Sequence, residues 1–131
     1  MITYKSGYKY QLTKTYIRYI DILDIDCGND FVKLDKHGRL TICEGYAWDG
    51  PSGPTIDTPS FMQGSLVHDA IYQLMRECGL SKDFRLVADQ TLHNMCLNDG
   101  MSRLRAQYVY WAVRIFGEKT LERQNPERTA P

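Results

Sequence analysis

Four residues on two neighbouring stretches carry side chains suited to joint proton-transfer chemistry: His68, Asp69 and Tyr72 on the first, Asp89 on the second. An imidazole held by a buried carboxylate has its tautomer fixed and its conjugate acid stabilised, which suits it to take a proton from water. His68 lies eleven residues before Gly79 and Asp89 ten after it. In two helices joined by a tight turn at Gly79, positions equidistant from the turn face each other, so His68 is expected to meet Asp89. Tyr72, one turn beyond His68, is placed to donate its hydroxyl to a carboxylate. Asp69 points about 100° away, toward the loop side of its helix. A hard cation such as Ca²⁺ takes carboxylate oxygens together with backbone carbonyls, and the Gly/Pro-rich residues 48–53 can turn carbonyls inward. Asp49 in that loop is either a further metal ligand or the cap of a turn. A cation held there would polarise an ester carbonyl and stabilise its oxyanion.

The elements that must position these groups follow from local pattern. Residues 61–78 hold no proline and repeat Leu66, Val67, Ala70, Ile71, Leu74 and Met75 at helical spacing. Ser60 stands at the expected N-cap, with Pro59 outside it and Gln63 three residues on as in a capping box. Gly79 closes this helix, and Ser81 opens a second over residues 82–98 that ends at Asp99-Gly100. The short connection makes the two an antiparallel hairpin, with His93 one turn after Asp89 on the same face. Ser102 caps a third helix over 103–116, whose stripe of Leu104, Tyr108, Trp111, Ala112 and Ile115 is expected to pack in the core. Residues 2–44 read as strands, rich in β-branched and aromatic types. Asp35-Lys-His-Gly38 forms a hairpin turn, with His37 at its tip in no catalytic role, and residues 27–30 form a second turn.

Composition bounds the rest. A chain of 131 residues is long enough for one domain with its own core. Sixteen basic residues balance sixteen acidic ones, so no net field draws nucleic acid or an anionic membrane. No apolar signal region and no membrane-spanning run is seen, which points to a cytoplasm unless another machine exports the chain. The four cysteines lack metal-type spacing and are expected as buried thiols rather than a disulfide frame.

The order of a Gly-rich loop, His68-Asp69-x-x-Tyr72 on a helix and Ala88-Asp89 on the next resembles the phospholipase A2 superfamily, most closely its compact, disulfide-free form in parvovirus capsid proteins. That resemblance implies His68 as general base, Asp89 as its orienting carboxylate, Asp69 as Ca²⁺ ligand and Tyr72 as support to Asp89. Carbonyls near Trp48, Gly50 and Ser52 would complete the ion site. The chain departs from the superfamily in lacking disulfides and in carrying Asp49 and prolines in the loop. Over residues 40–117 it also resembles a family of small bacteriophage and prophage proteins of unknown function. Gly-Tyr-Ala-Trp-Asp-Gly-Pro-Ser-Gly-Pro, His-Asp-Ala-Ile-Tyr, Arg85-Leu-Val-Ala-Asp89 and a late Arg114-Ile-Phe-Gly117 carry that likeness.

The expected fold is α+β: N-terminal antiparallel strands packed on three helices, with a helical hairpin holding the site. Residues 1–117 form the single domain and 118–131 a polar, frayed tail. The expected function is a phage-encoded, Ca²⁺-dependent, phospholipase A2-like hydrolase acting on a lipid ester. Its rival is a non-enzymatic phage protein that binds a host or virion partner and uses His68 and Asp89 as a buried polar network. A third reading is a transition-metal site built from His68, Asp69, Asp89 and His93.

Overall fold

A computed structural model of the chain describes residues 4–5, 10–48 and 59–122. Short strands come first: β1 (Tyr4–Lys5), β2 (Tyr10–Leu12), β3 (Tyr16–Tyr19), β4 (Cys27–Gly28), β5 (Val32–Leu34), β6 (Arg39–Ile42) and β7 (Ala47–Trp48). They make two antiparallel sheets, β1-β2-β7 and β3-β6-β5-β4. Helices follow: α1 (Pro59–Glu77), α2 (Arg85–Asn98) and α3 (Arg103–Glu122). The fold is α+β.

The strands hold because their apolar residues alternate. Val32 pairs with Ile42 and Leu34 with Leu40, and all four side chains are buried on one face while Lys33 and Arg39 are exposed. That face shares one core with Leu66, Val67, Ile71 and Leu74 of α1. The β5–β6 turn works as expected: Asp35 Oδ1 accepts from the backbone N–H of His37 and Arg39 at 2.9 and 3.0 Å, and Gly38 takes φ of +83°. Residues 27–30 contribute β4 as well as a turn. Asn29 Oδ1 then accepts from the backbone N–H of Phe31 and Val32 at 2.9 Å each, which re-aims the chain into β5.

α1 is the central helix and is buried along most of its length, against the sheets on one side and α2 on the other. It begins at Pro59, so Ser60 is already helical and is not the N-cap expected from sequence. Proline suits a first turn, where its missing N–H has no helical partner to lose. Gln63 also departs from the capping box. Its carbonyl accepts from Tyr16 Oη at 2.8 Å and its amide donates to Asp99 at 3.0 Å, tying β3 and the end of α2 to α1. The hairpin turn is as expected: Gly79 has φ of +79°, and Ser81 Oγ accepts from the N–H of Asp83 at 3.1 Å. A 3₁₀ turn over Lys82–Phe84 leads into α2. Gly64 lets the two helices close, since a Cβ there would stand 3.0 Å from Leu92 Cδ1 and 3.3 Å from Cys96 Sγ.

α3 differs from expectation in two ways. It runs on past Phe116 to Glu122, and Leu121 is buried in the main core, so the tail does not begin at 118. Its packed face is the small one, with Ala106, Val109 and Val113 against Leu92 and Cys96 of α2. Leu104, Tyr108, Trp111 and Ile115 are exposed, and Ala112 is only half-buried. The helix carries two opposed apolar stripes, and the one that lets the backbones approach is the one that packs. Among the described residues no helix is long and apolar enough to cross a membrane.

Trp48 ends β7 and anchors it to the central helix. Its ring is buried beside Tyr10, and its Nε1 donates to Ser65 Oγ at 3.1 Å, one turn before His68. Trp48→Phe removes that donor and part of the packed ring, so unfolding in urea should show a loss of about 1–3 kcal/mol with helical circular dichroism retained.

Candidate active site

The site is built around one carboxylate. Asp89 is fully buried on α2, and its two oxygens are approached from both other helices. Oδ1 lies 2.7 Å from His68 Nε2 and accepts from Tyr72 Oη at 2.8 Å. Oδ2 accepts from an Arg114 guanidinium N–H at 2.8 Å. The hairpin register read from Gly79 therefore brings His68, Tyr72 and Asp89 together as expected.

The bonds settle the imidazole's tautomer. An ionised carboxylate only accepts, so the neutral His68 ring carries its hydrogen on Nε2 and its lone pair on Nδ1. Nδ1 faces Asp69 Oδ1 at 3.9 Å, too far for a hydrogen bond. Among the described residues no hydrogen bond reaches Nδ1. The Tyr72 ring lies against the imidazole with centroids 4.3 Å apart, which fixes the ring plane.

Electrostatics follow from burial and neighbours. Burial pulls the His68 imidazole down, and the carboxylates of Asp69 and Asp89 more than offset it, so its pKa is raised. Burial pushes Asp89 up, and the bonds from His68, Tyr72 and Arg114 outweigh it, so its carboxyl is held below the usual range. Burial and the adjacent Asp89 charge both push Tyr72 up, which keeps its hydroxyl protonated as a donor. Arg114 already balances the Asp89 charge, which moderates the pull of that carboxylate on a proton at His68.

Three residues of the network were not singled out from sequence as site residues. Arg85 Nε donates to Tyr72 Oη at 3.2 Å, and its terminal nitrogen donates to the carbonyls of Val113 and Arg114, binding the start of α2 to α3. Arg114 is the ion-pair partner of Asp89. Gly117 makes room for both: a Cβ there would stand 2.4 Å from Tyr72 Oη and 3.1 Å from Arg85 Nε. Arg85 and Arg114 stand in Arg85-Leu-Val-Ala-Asp89 and Arg114-Ile-Phe-Gly117, two stretches quoted above without a role for either arginine.

The expected metal ligands are placed unevenly. Asp69 is partly exposed beside His68, with the oxygen chemistry of a hard-cation ligand. Trp48 is held by its indole against Ser65. Asp49, Gly50 and Ser52 lie outside the described residues. Among the described residues no three of the His, Cys, Asp and Glu side chains converge where they could hold an ion. His93 is not part of the constellation; it packs edge-on against Tyr110 with centroids 5.5 Å apart and lines a shallow groove with Gln90 and Gln107. The four-residue transition-metal set is therefore not assembled. His37 sits at the tip of the β5–β6 turn.

Comparison with protein-family models, curated proteins and solved structures finds no match, so the site is read from its own chemistry.

Two outcomes are expected. Arg114→Met leaves Oδ2 of a buried carboxylate unpaired and should cost about 2–4 kcal/mol in chemical denaturation, the partly exposed guanidinium placing it toward the low end of buried-pair losses. The second concerns pH. His68 is raised above its ordinary 6.5, so the stability it contributes is fully present below that pH and lost as pH rises through the raised value. Asp89 is lowered below 3.8, so its contribution is present above that pH and lost as pH falls through the lowered value. Melting temperatures in EDTA should thus fall as pH rises above about 6.5 in the wild type, by a component that His68→Gln lacks.

Proposed function

We propose that this chain is a phage-encoded hydrolase of the phospholipase A2 kind, acting on a lipid ester through water activated by His68. The observation that supports this reading is the asymmetry of the imidazole. Nε2 is committed to buried Asp89, and Nδ1 is left with its lone pair beside a second carboxylate. In the proposed reaction Nδ1 removes a proton from water as the oxygen attacks the ester carbonyl. The resulting imidazolium is stabilised by Asp89, which Tyr72 and Arg114 hold in place. Collapse of the tetrahedral adduct breaks the ester C–O bond, and the proton on Nδ1 passes to the leaving alkoxide. A Ca²⁺ ion, with Asp69 as its carboxylate ligand and loop carbonyls as the others, would supply positive charge opposite the developing oxyanion.

A second reading rests on a different observation. Both Asp89 oxygens are satisfied and the network ties all three helices, which serves a non-enzymatic protein that binds a host or virion partner equally well.

His68→Asn separates the two. Fatty-acid release from phospholipid vesicles, with Ca²⁺ or with EDTA, should fall by about two orders of magnitude or more in the variant. Asn can still donate to Asp89, so the fold should lose only about 1–3 kcal/mol. Asp69→Asn should lose the Ca²⁺ dependence while keeping the melting temperature. Equal release by wild type and His68→Asn, or none from either, would sink the hydrolase reading and leave the partner-binding one.

A further inference from the structure

The outer face of α3 is largely exposed, with Trp111 meeting Tyr110 of the same helix edge-on. Leu104 is 84 % exposed, Tyr108 54 %, Trp111 53 % and Ile115 64 %, on the side opposite Ala106, Val109 and Val113. Their spacings are four, three and four residues, so they form one straight stripe along the helix, the seam spacing of a paired helix. With Phe116 at its edge the stripe exposes roughly 600 Å² of mostly apolar surface, beyond scattered single side chains and close to the ~800 Å² per partner of a stable interface.

We propose that this stripe is the interface of a two-fold homodimer in which α3 pairs antiparallel with α3 of a second copy. The 4-3-4 spacing reads the same in both directions. A two-fold axis level with residues 109 and 110 therefore sets Leu104 opposite Ile115 of the second copy, and Tyr108 opposite its Trp111. Each layer then joins different side chains, and four layers close with none left over, as an isologous interface requires. Antiparallel order also opposes the two helix dipoles and brings Glu118 of one copy to the flank that holds Arg103 of the other. A lipid surface is the weaker occupant: of the four basic residues of α3, Arg114 is committed to Asp89, which leaves Arg103, Arg105 and Lys119 against Glu118 and Glu122, too slight a basic excess for a membrane-seeking helix.

Sedimentation equilibrium of the full chain, from about 1 to 300 µM, should show a monomer–dimer equilibrium. Trp111→Glu should raise the dissociation constant about thirtyfold or more while lowering the melting temperature of the monomer only slightly, because within the monomer the ring gives up little beyond its edge contact with Tyr110. Leu104→Glu and Ile115→Lys should each weaken the dimer, and the double variant should recover it, because the new charges face each other only in the antiparallel pairing. The proposal is overturned by a wild type that stays monomeric across the range or by a dimer indifferent to Trp111→Glu. It is equally overturned by a double variant weaker than both singles, or by a monomer that floats with anionic vesicles through this face.

Discussion

Everything near the centre of this molecule answers to one constraint: a carboxylate with no solvent access must be compensated. An unpaired charge in an apolar interior costs several kcal/mol, and Asp89 is fully buried. Compensation comes from both helices that flank α2, with His68 and Tyr72 from α1 and Arg114 from α3. Each bond requires a particular rotation and height of its helix, so a slip of either helix by one residue would strand the charge. The apolar contacts supply most of the driving force for burial. The carboxylate selects one packing among those the apolar contacts would tolerate.

Such convergence needs space, and small residues provide it. Gly64 lets α1 and α2 close at Leu92 and Cys96, Ala88 sits fully buried beside Asp89 in the chain, and Gly117 yields to the Tyr72 hydroxyl and Arg85. Arg85 then closes the network from behind, donating to Tyr72 and to carbonyls of α3. Tyr72 thus accepts one bond while donating another, which aims its hydroxyl hydrogen at Asp89. The strand layer meets the same helix from the other side, where Trp48 bonds Ser65 one turn before His68.

Much of this was legible in the residues, and the boundary between what was and was not has a physical origin. A short helical hairpin is a ruler: with Gly79 as the fold point, counting residues places His68 against Asp89 without any knowledge of packing. Arg114 lies 25 residues from Asp89, and its height beside α2 depends on how α3 docks, which no local count supplies. The stripe on α3 was misread for a related reason. Large apolar residues at helical spacing look like a core face, but packing against α2 favoured the close approach that Ala106 and Val109 allow. Helix ends were misplaced by two residues at Pro59, and by several at Glu122, where buried Leu121 extends the helix beyond its polar-looking end. The loop carbonyls expected to bind a cation could be named by composition alone, because glycine and proline state where regular structure stops without stating where a carbonyl points.

The same bonds would serve a packing device and a catalytic one, so the network as a whole does not separate the two, and the difference between them lies at the second ring nitrogen of His68. A histidine kept for packing gains by satisfying both ring nitrogens, since each buried polar atom left without a partner costs about 1–3 kcal/mol. His68 satisfies one, and among the described residues its Nδ1 receives no hydrogen bond. Asp69, adjacent in sequence and partly exposed, stands near that nitrogen without bonding it, and it raises the proton affinity of the ring together with Asp89. Arg114 works against excess, because by balancing Asp89 it limits how strongly the ring holds a proton once taken. A fixed tautomer with Nδ1 turned away from Asp89 is an arrangement that a general base would use, and one that a core histidine whose second nitrogen meets solvent would share.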